Sequence, residues 1–312
     1  LQTSDEDIYA VGDAIEVKHY INGAESLIPL AWPANRQGRI VADTILGIRQ
    51  KPYTGSLGTS ILKAFDLTVS ATGLNEKTLK RLGIPYMVTT VNRNDHASYY
   101  PGATPLTLKL IFNKEGDILG AQAIGYKGVD KRIDIIATAI KGNLKVWDLQ
   151  EVEVAYAPPY NSAKDPVNIA GYAAENMING EHETFRYFEI DELLQDSNYQ
   201  LLDVRTKMEN RLGTIKDSIN IDVNELRDNL GSLNRDKTYL VFCQVGLRGY
   251  LAYRILVQNG FKVKNLDGGY RLWNHTVQDQ ENKNIFKEDN FKHKDLNSCE
   301  EVKELVDEEK EV

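Results

Sequence analysis

Tyr239-Leu-Val-Phe-Cys243 is an apolar run that ends on a cysteine, and Gln244-Val-Gly-Leu-Arg248-Gly249 follows before a helical pattern begins. The run has the length and the branched and aromatic residues of a buried strand. Similar short runs recur at Gln200–Val204, Ser218–Ile221 and Val263–Asp267, separated by helical stretches near Glu189–Leu194 and Leu247–Asn259. Short strands alternating with helices predict a small parallel α/β domain with helices on both faces. Ligands bind beyond the carboxyl ends of the strands in such sheets, which is where Cys243 falls. A tight loop entering a helix aims several N–H groups at one point, with the positive end of the helix dipole behind them. Gly246 and Gly249 let the loop curl, and Arg248 adds a cation. A thiolate held there is a nucleophile. The other reading is a buried strand-end cysteine that acts as a small hydrophobe.

Outward from this loop, the 312 residues are 42% hydrophobic and 26% charged with a net charge of −8. That length predicts two or three domains. The acidic balance argues against a nucleic-acid partner. No stretch approaches the ~18 apolar residues that a membrane span needs. Two cysteines, Cys243 and Cys299, exclude a disulfide scaffold and leave room for one reactive thiol in a reducing, cytoplasmic setting. No metal site is expected. The chain begins at Leu1 on a strand-like run, without an initiator methionine or a signal-peptide pattern, as expected of a piece of a longer polypeptide.

Four zones emerge. Residues 1–50 include a helix-like stretch near Gln37–Leu46. Residues 51–182 alternate strand signals (Ala64–Ala71, Tyr86–Asn92, Leu106–Phe112, Ile118–Ile124) with helical ones (Lys131–Lys141, Ala163–Asn179). Residues 185–278 hold the cysteine loop. Residues 280–312 carry 11 acidic and 6 basic residues, the pattern of a solvated or disordered acidic tail.

Residues 185–278 resemble a rhodanese domain. The marks are Leu202-Asp203-Val-Arg205, Ser218-Ile-Asn-Ile-Asp222 with Glu225-Leu226, Cys243-Gln-Val-Gly-Leu-Arg248, and Leu266-Asp-Gly-Gly269 with Trp273. The resemblance implies that Cys243 carries sulfane sulfur as a persulfide. The backbone of Gln244, Val245, Gly246, Leu247 and Gly249 would cradle it, and Arg248 would hold an anionic substrate. Asp203 and Arg205 match positions near the loop base, with a structural ion pair as good a role as a catalytic one. Gly213-Thr-Ile-Lys-Asp-Ser218 stands where the family often has Gly-His-Ile-Pro-Gly-Ala. Cysteine phosphatases share the loop type with five residues between cysteine and arginine; here there are four. The tighter loop suits a sulfur-sized group better than a phosphate.

The first two zones resemble the C-terminal part of a pyridine nucleotide-disulfide oxidoreductase. Thr3-Ser-Asp-Glu-Asp-Ile-Tyr-Ala-Val-Gly-Asp13-Ala14 matches its second flavin motif, where the apolar run is a strand and the aspartate accepts a ribityl hydroxyl. By that match Gly12, Asp13 and Ala14 bind FAD, with Pro33 and Ala34 of Leu30-Ala-Trp-Pro-Ala34 near the flavin ring. Residues 51–182 resemble the dimerisation domain. Ala155-Tyr-Ala-Pro-Pro-Tyr160-Asn-Ser-Ala-Lys-Asp-Pro-Val-Asn168 points to the branch of coenzyme A-disulfide reductases, NADH oxidases and persulfide reductases. There Tyr156 and Tyr160 would reach towards a dimer partner's active site; interface packing is the plainer role for them and for Tyr99 and Tyr100. His96 reads as a hydrogen-bonded loop histidine.

The expected architecture is therefore mixed α/β and α+β: a remnant of an FAD-binding Rossmann-like lobe, an α+β dimerisation domain and a rhodanese-like parallel α/β domain. The implied parent is a homodimeric NAD(P)H:coenzyme A-disulfide or persulfide reductase acting on small sulfur compounds. The glycine-rich turns for FAD and NAD(P)H and the flavin-side redox cysteine of that family are not in this sequence. A non-catalytic dimerisation and interaction module is the alternative.

Overall fold

A computed structural model describes residues 1–49 and 51–277. The acidic stretch 280–312, with Cys299, lies outside the described residues. The elements below belong to one compact unit, Leu1–Tyr270.

β1 (Val17–Lys18) and β2 (Glu25–Ser26) form a short antiparallel ribbon, and α1 (Ala31–Ile45) follows. The helix expected near Gln37–Leu46 starts earlier, because Pro33 sits in its first turn, where a missing N–H removes no helical bond. The run Ile8-Tyr-Ala-Val11, expected as a strand, makes one antiparallel bridge, Gln2 to Tyr9. Its backbone groups are taken up by the start of the chain, with Thr3 N donating to Ile8 O at 2.9 Å and Ala10 N to Leu1 O at 3.0 Å.

The middle of the chain is α+β. In order come β3 (Ser60–Ala64), β4 (Leu67–Gly73), α2 (Glu76–Leu82), β5 (Met87–Asn94), β6 (Pro105–Phe112), β7 (Ile118–Gly125), α3 (Val129–Lys141), α4 (Asp148–Glu151) and α5 (Pro166–Ile178). The five strands are antiparallel in the order β3-β4-β7-β6-β5. The single strand expected at Ala64–Ala71 is two, with a turn at Phe65, whose φ is +53°. An aromatic residue in the left-handed region carries no turn signal, so the hairpin was hidden. Leu106, Leu108 and Leu110 alternate onto one sheet face and are fully or almost fully buried. Ile133 and Ile136 of α3 and Val167, Ala170 and Ala174 of α5 cover that face.

Arg132 is the largest fully buried side chain of this domain. It pairs with Asp165 at 3.0 Å and donates to Asp95 O and Asn161 Oδ1, each at 2.8 Å. Asp165 caps α5, accepting from Val167 N at 2.9 Å. One guanidinium thus ties α3, α5 and the loop before α5. Arg132→Ala leaves a buried carboxylate unpaired, and a loss of about 3–5 kcal/mol is expected in urea unfolding; an unchanged midpoint would show the pair to be dispensable.

The rest of the unit is parallel α/β: β8 (Thr184–Phe185), α6 (Ile190–Leu193), β9 (Tyr199–Asp203), α7 (Lys207–Arg211), β10 (Ile219–Asn220), β11 (Thr238–Phe242), α8 (Leu247–Gln258) and β12 (Lys262–Leu266). All pairings are parallel, in the order β10-β9-β11-β12-β8. The buried face of β11 and β12 packs with Ala252, Tyr253, Ile255 and Leu256 of α8.

The two sheets meet through polar contacts at β5, an edge strand. Thr90 N donates to Asp267 Oδ1 at 2.7 Å, and Asn92 Nδ2 donates to Gly268 O at 2.9 Å. The edge N–H that would invite another strand is thereby capped by a carboxylate. Glu76 accepts from Arg186 at 3.1 and 3.2 Å and from Lys109 at 2.8 Å. Burial pushes the Glu76 carboxyl up, but the bonds from Arg186 and Lys109 outweigh it and hold it at about 2, below its ordinary 4.5. A carboxyl held low contributes stability above its unfolded pKa and loses it on acidification. The Glu76 contribution is therefore complete above pH 4.5 and falls as the pH drops from there towards 2. Glu76→Gln should flatten the unfolding-midpoint profile in that window; an unaltered profile would contradict the assignment.

Candidate active site

β11 delivers Cys243 to the carboxyl edge of the parallel sheet, and α8 begins four residues later. Between them the chain turns through Gly246 at φ +108°, a conformation that suits glycine. Gly246 N donates to Cys243 Sγ at 3.2 Å. Gly246 is also the N-cap of α8 and has no side chain to cap the helix's first N–H groups, so its dipole faces the thiol loop. Cys243 is fully buried.

Three neighbours hold this loop. Gly269 lies beneath it: a Cβ there would come within 2.7 Å of Cys243 O and 2.9 Å of Val245 N. Tyr270 N donates to Cys243 O at 2.8 Å. Asn265 sits under Gly249 and donates from Nδ2 to His182 Nε2 at 3.1 Å and to Gly246 O at 3.4 Å. Burial holds His182 down at about 4, so it is neutral near pH 7 and Nε2 serves as the acceptor. The outer rim, Val245 to Leu247, borders a cavity of about 380 Å³ whose other wall includes Thr90, Ile169 and Tyr172.

The base of the loop is an ion pair. Asp203 is fully buried and accepts from Arg205 N, Nε and Nη2, from Asn210 Nδ2 at 3.0 Å and from Thr214 Oγ1 at 2.9 Å. Arg205 also donates to Gly213 O at 2.7 Å and Gln244 Oε1 at 3.1 Å, and stacks 4.0 Å over the Tyr270 ring. With this many fixed partners the pair is scaffolding. The departure Gly213-Thr-Ile-Lys-Asp-Ser218 is accommodated because Asp217 takes φ +62°, which aspartate tolerates where the family's turn has glycine. Arg248 does not stand free for an anion: Nη1 and Nη2 donate to the two carboxylate oxygens of Glu209 at 2.7 and 2.6 Å. Sequence reading missed Glu209 as its partner.

The other predicted residues form two further groups. Gly12 N donates to Gln37 Oε1 at 2.6 Å, and a Cβ on Gly12 would lie 3.7 Å from Ala34. This brings Gly12, Asp13 and Ala14 against the first turns of α1, where Pro33 and Ala34 lie; Asp13 is exposed. Tyr156 shares a 3.0 Å hydrogen bond with Tyr99, not with Tyr160, and all three rings are exposed. The bond to Tyr99 pushes the Tyr156 hydroxyl up. Packing is the plainer sequence reading of Tyr99; its pairing with Tyr156 is invisible there because 57 residues separate the two. His96 is held between Asp95 at 2.7 Å and Pro101 O at 3.3 Å.

Residues 59–166 match the pyridine nucleotide-disulphide oxidoreductase dimerisation domain, and residues 189–276 match the rhodanese-like domain. The chain carries both of these domains. Over 89% of its length it is 56% identical to reduced Bacillus anthracis CoADR-RHD, with a TM-score of 0.87. It is 38% identical over 87% of its length to a NAD-dependent persulfide reductase from A. fulgidus, with a TM-score of 0.80. A coenzyme A disulfide reductase of Staphylococcus epidermidis is 40% identical over 175 residues, 56% of this chain. The chain spans 50% and 49% of the two structures and 40% of the curated reductase. Among the described residues no helix is long and apolar enough to cross a membrane.

The packing of the rhodanese-like domain generates a direct test. Gly269→Ala meets backbone on three sides at a φ of +65°, so the loop must shift. Expected are about 1–3 kcal/mol of destabilisation in urea unfolding; a wild-type midpoint would show that the loop does not depend on this contact.

Proposed function

We propose that this chain is the C-terminal part of an FAD-dependent NAD(P)H:coenzyme A-disulfide or persulfide reductase, and that its rhodanese-like domain carries sulfane sulfur on Cys243. The observation that carries the sulfurtransfer reading is the Gly246 N–H aimed at Cys243 Sγ at the start of α8. The relatives' names, coenzyme A disulfide reductase and persulfide reductase, support the reductase reading.

In the transfer step the Cys243 thiolate attacks the outer sulfur of a persulfide, R–S–SH. The S–S bond breaks, R–S⁻ leaves with the proton as R–SH, and Cys243 becomes the persulfide anion. The Gly246 N–H and the α8 N-terminus stabilise negative charge on either sulfur. An acceptor thiolate or cyanide then takes the outer sulfur and restores the Cys243 thiolate. The dimerisation domain would place a second copy of the chain against the first. Tyr99 and Tyr156 are exposed on it, and the Tyr156 phenol, pushed up by its bond to Tyr99, donates rather than accepts a proton near neutrality.

For FAD, the residues present fit one part of the group. Gly12 approaches the helix end closely and Asp13 is exposed beside it, which suits a ribityl hydroxyl; Pro33 and Ala34 would lie by the ring. Bound flavin would supply electrons from NAD(P)H. Large exposed apolar residues in the same segment, Leu27, Trp32, Leu46 and Ile48, suit a surface covered by further protein.

Incubation with thiosulfate or an organic persulfide should add one sulfur atom to the Cys243 peptide by mass spectrometry. Transfer to cyanide should follow, and Cys243→Ser should abolish both. The full burial of Cys243 favours the second reading, an interaction module without sulfurtransfer. A thiol that takes up no sulfur from either donor would support it.

A further inference from the structure

Both guanidinium groups at the thiol loop are already neutralised. Arg205 belongs to the buried Asp203 pair. Arg248, on the first turn of α8, is gripped by both carboxylate oxygens of Glu209. Glu209 is itself fixed. It is the third residue of the five-residue α7, accepting from Thr206 N at 3.1 Å and Thr206 Oγ1 at 3.0 Å, while its own N donates to Thr206 Oγ1 at 3.2 Å. The carboxylate therefore cannot swing aside without breaking a capping box as well as the ion pair. Arg248 and Glu209 are each about a third exposed, so the pair stands at the surface of the loop rather than under it. The charge of a Cys243 thiolate acts on Arg248, as does Asp222.

We propose that Glu209 is a positioning residue that sets the charge preference of Cys243 for its sulfur donors: by neutralising Arg248 it disfavours dianionic donors such as thiosulfate and favours persulfides of low charge. The proposal rests on Cys243 being a sulfur carrier. With both pairs neutral, the attraction left on the loop itself is the Gly246 N–H and the α8 N-terminus, about half an elementary charge; Arg93 and Lys164 line the cavity on its outer rim. That suffices to orient a persulfide whose outer sulfur approaches the thiolate. It does not offset the second charge of thiosulfate, which also meets the Glu209 carboxylate. For thiosulfate the Cys243 thiolate attacks the outer sulfur, the S–S bond breaks and sulfite leaves with both charges, so the step needs cationic help that a free Arg248 would provide.

The experiment measures kcat and KM for thiosulfate and for 2-hydroxyethyl persulfide, with cyanide as acceptor, across a series of salt concentrations. Glu209→Gln keeps the capping geometry and releases Arg248. It should lower KM for thiosulfate about tenfold, the effect of roughly one added unit charge at a solvent-screened site. The thiosulfate-to-persulfide ratio of kcat/KM should rise by the same factor, and thiosulfate kcat/KM should now fall as salt is added. Glu209→Asp should retain the wild-type ratio. Adding Arg248→Gln to Glu209→Gln should return the ratio towards wild type. If Glu209 only tied α7 to α8, Glu209→Gln would move stability and both donors alike; an unchanged ratio and salt slope would overturn the proposal. A wild-type protein that takes sulfur from neither donor would overturn the sulfur-carrier reading itself.

Discussion

Gly269 has no room for a side chain, and much of the arrangement follows from that. Three backbone atoms of the thiol loop, Cys243 O, Val245 N and Gly246 N, lie where its Cβ would be. The same turn presents Asp267 and Gly268 to the other side, where Thr90 N and Asn92 Nδ2 of β5 donate to them. Four residues, Leu266 to Gly269, thus carry the cradle of the cysteine and the join between two sheets. Asp267 is fully desolvated there and burial pushes its carboxyl up, with Arg186 at 3.8 Å partly offsetting the cost. Asp267 Oδ1 accepts from Thr90 N, while Oδ2 has no hydrogen-bond donor and faces Arg186, so the ion pair carries that side of the buried carboxylate.

Charge is handled the same way throughout. Arg132, Arg205 and Arg248 each meet a carboxylate, but burial separates their roles. Arg132 and Arg205 are 1% and 2% exposed and surrounded by fixed acceptors. Removing either partner would strand a buried charge, so these pairs fix conformation. Arg248 and Glu209 keep contact with solvent, where an ion pair contributes little stability. Their pairing matters for the field it leaves at the loop.

The parallel domain was legible because its signals are local. Apolar runs of strand length, glycines at the turn and a cysteine between them fall within a dozen residues; in the antiparallel domain Leu106, Leu108, Leu110 and Ile133, Ile136, Ile140 likewise show their periods directly. What stayed hidden depends on tertiary context. Phe65 turns a hairpin in a conformation its residue type disfavours. Asp217 takes a φ of +62°, which its residue type does not announce. Thr206 and Glu209 form a capping box, and the same carboxylate seizes Arg248, 39 residues away, where no local pattern points. Asn265 and His182, 83 residues apart, carry no motif, yet they brace the loop.

The cysteine loop and the tyrosine pair differ in how complete they are. Among the described residues, Gly246, Gly269, Asn265 and Asp203 with Arg205 shape the Cys243 loop. Tyr99 and Tyr156 instead face outward and satisfy each other, hydroxyl to hydroxyl. Two phenols sharing one hydrogen bond leave a single proton to offer, and the shared bond holds Tyr156 protonated. Such a pair acts only on something brought to it from outside. On the proposed reading a second copy of the chain, the surface a dimerisation domain is suited to meet, would be what the tyrosines act on, whereas the groups bracing the cysteine lie in this chain.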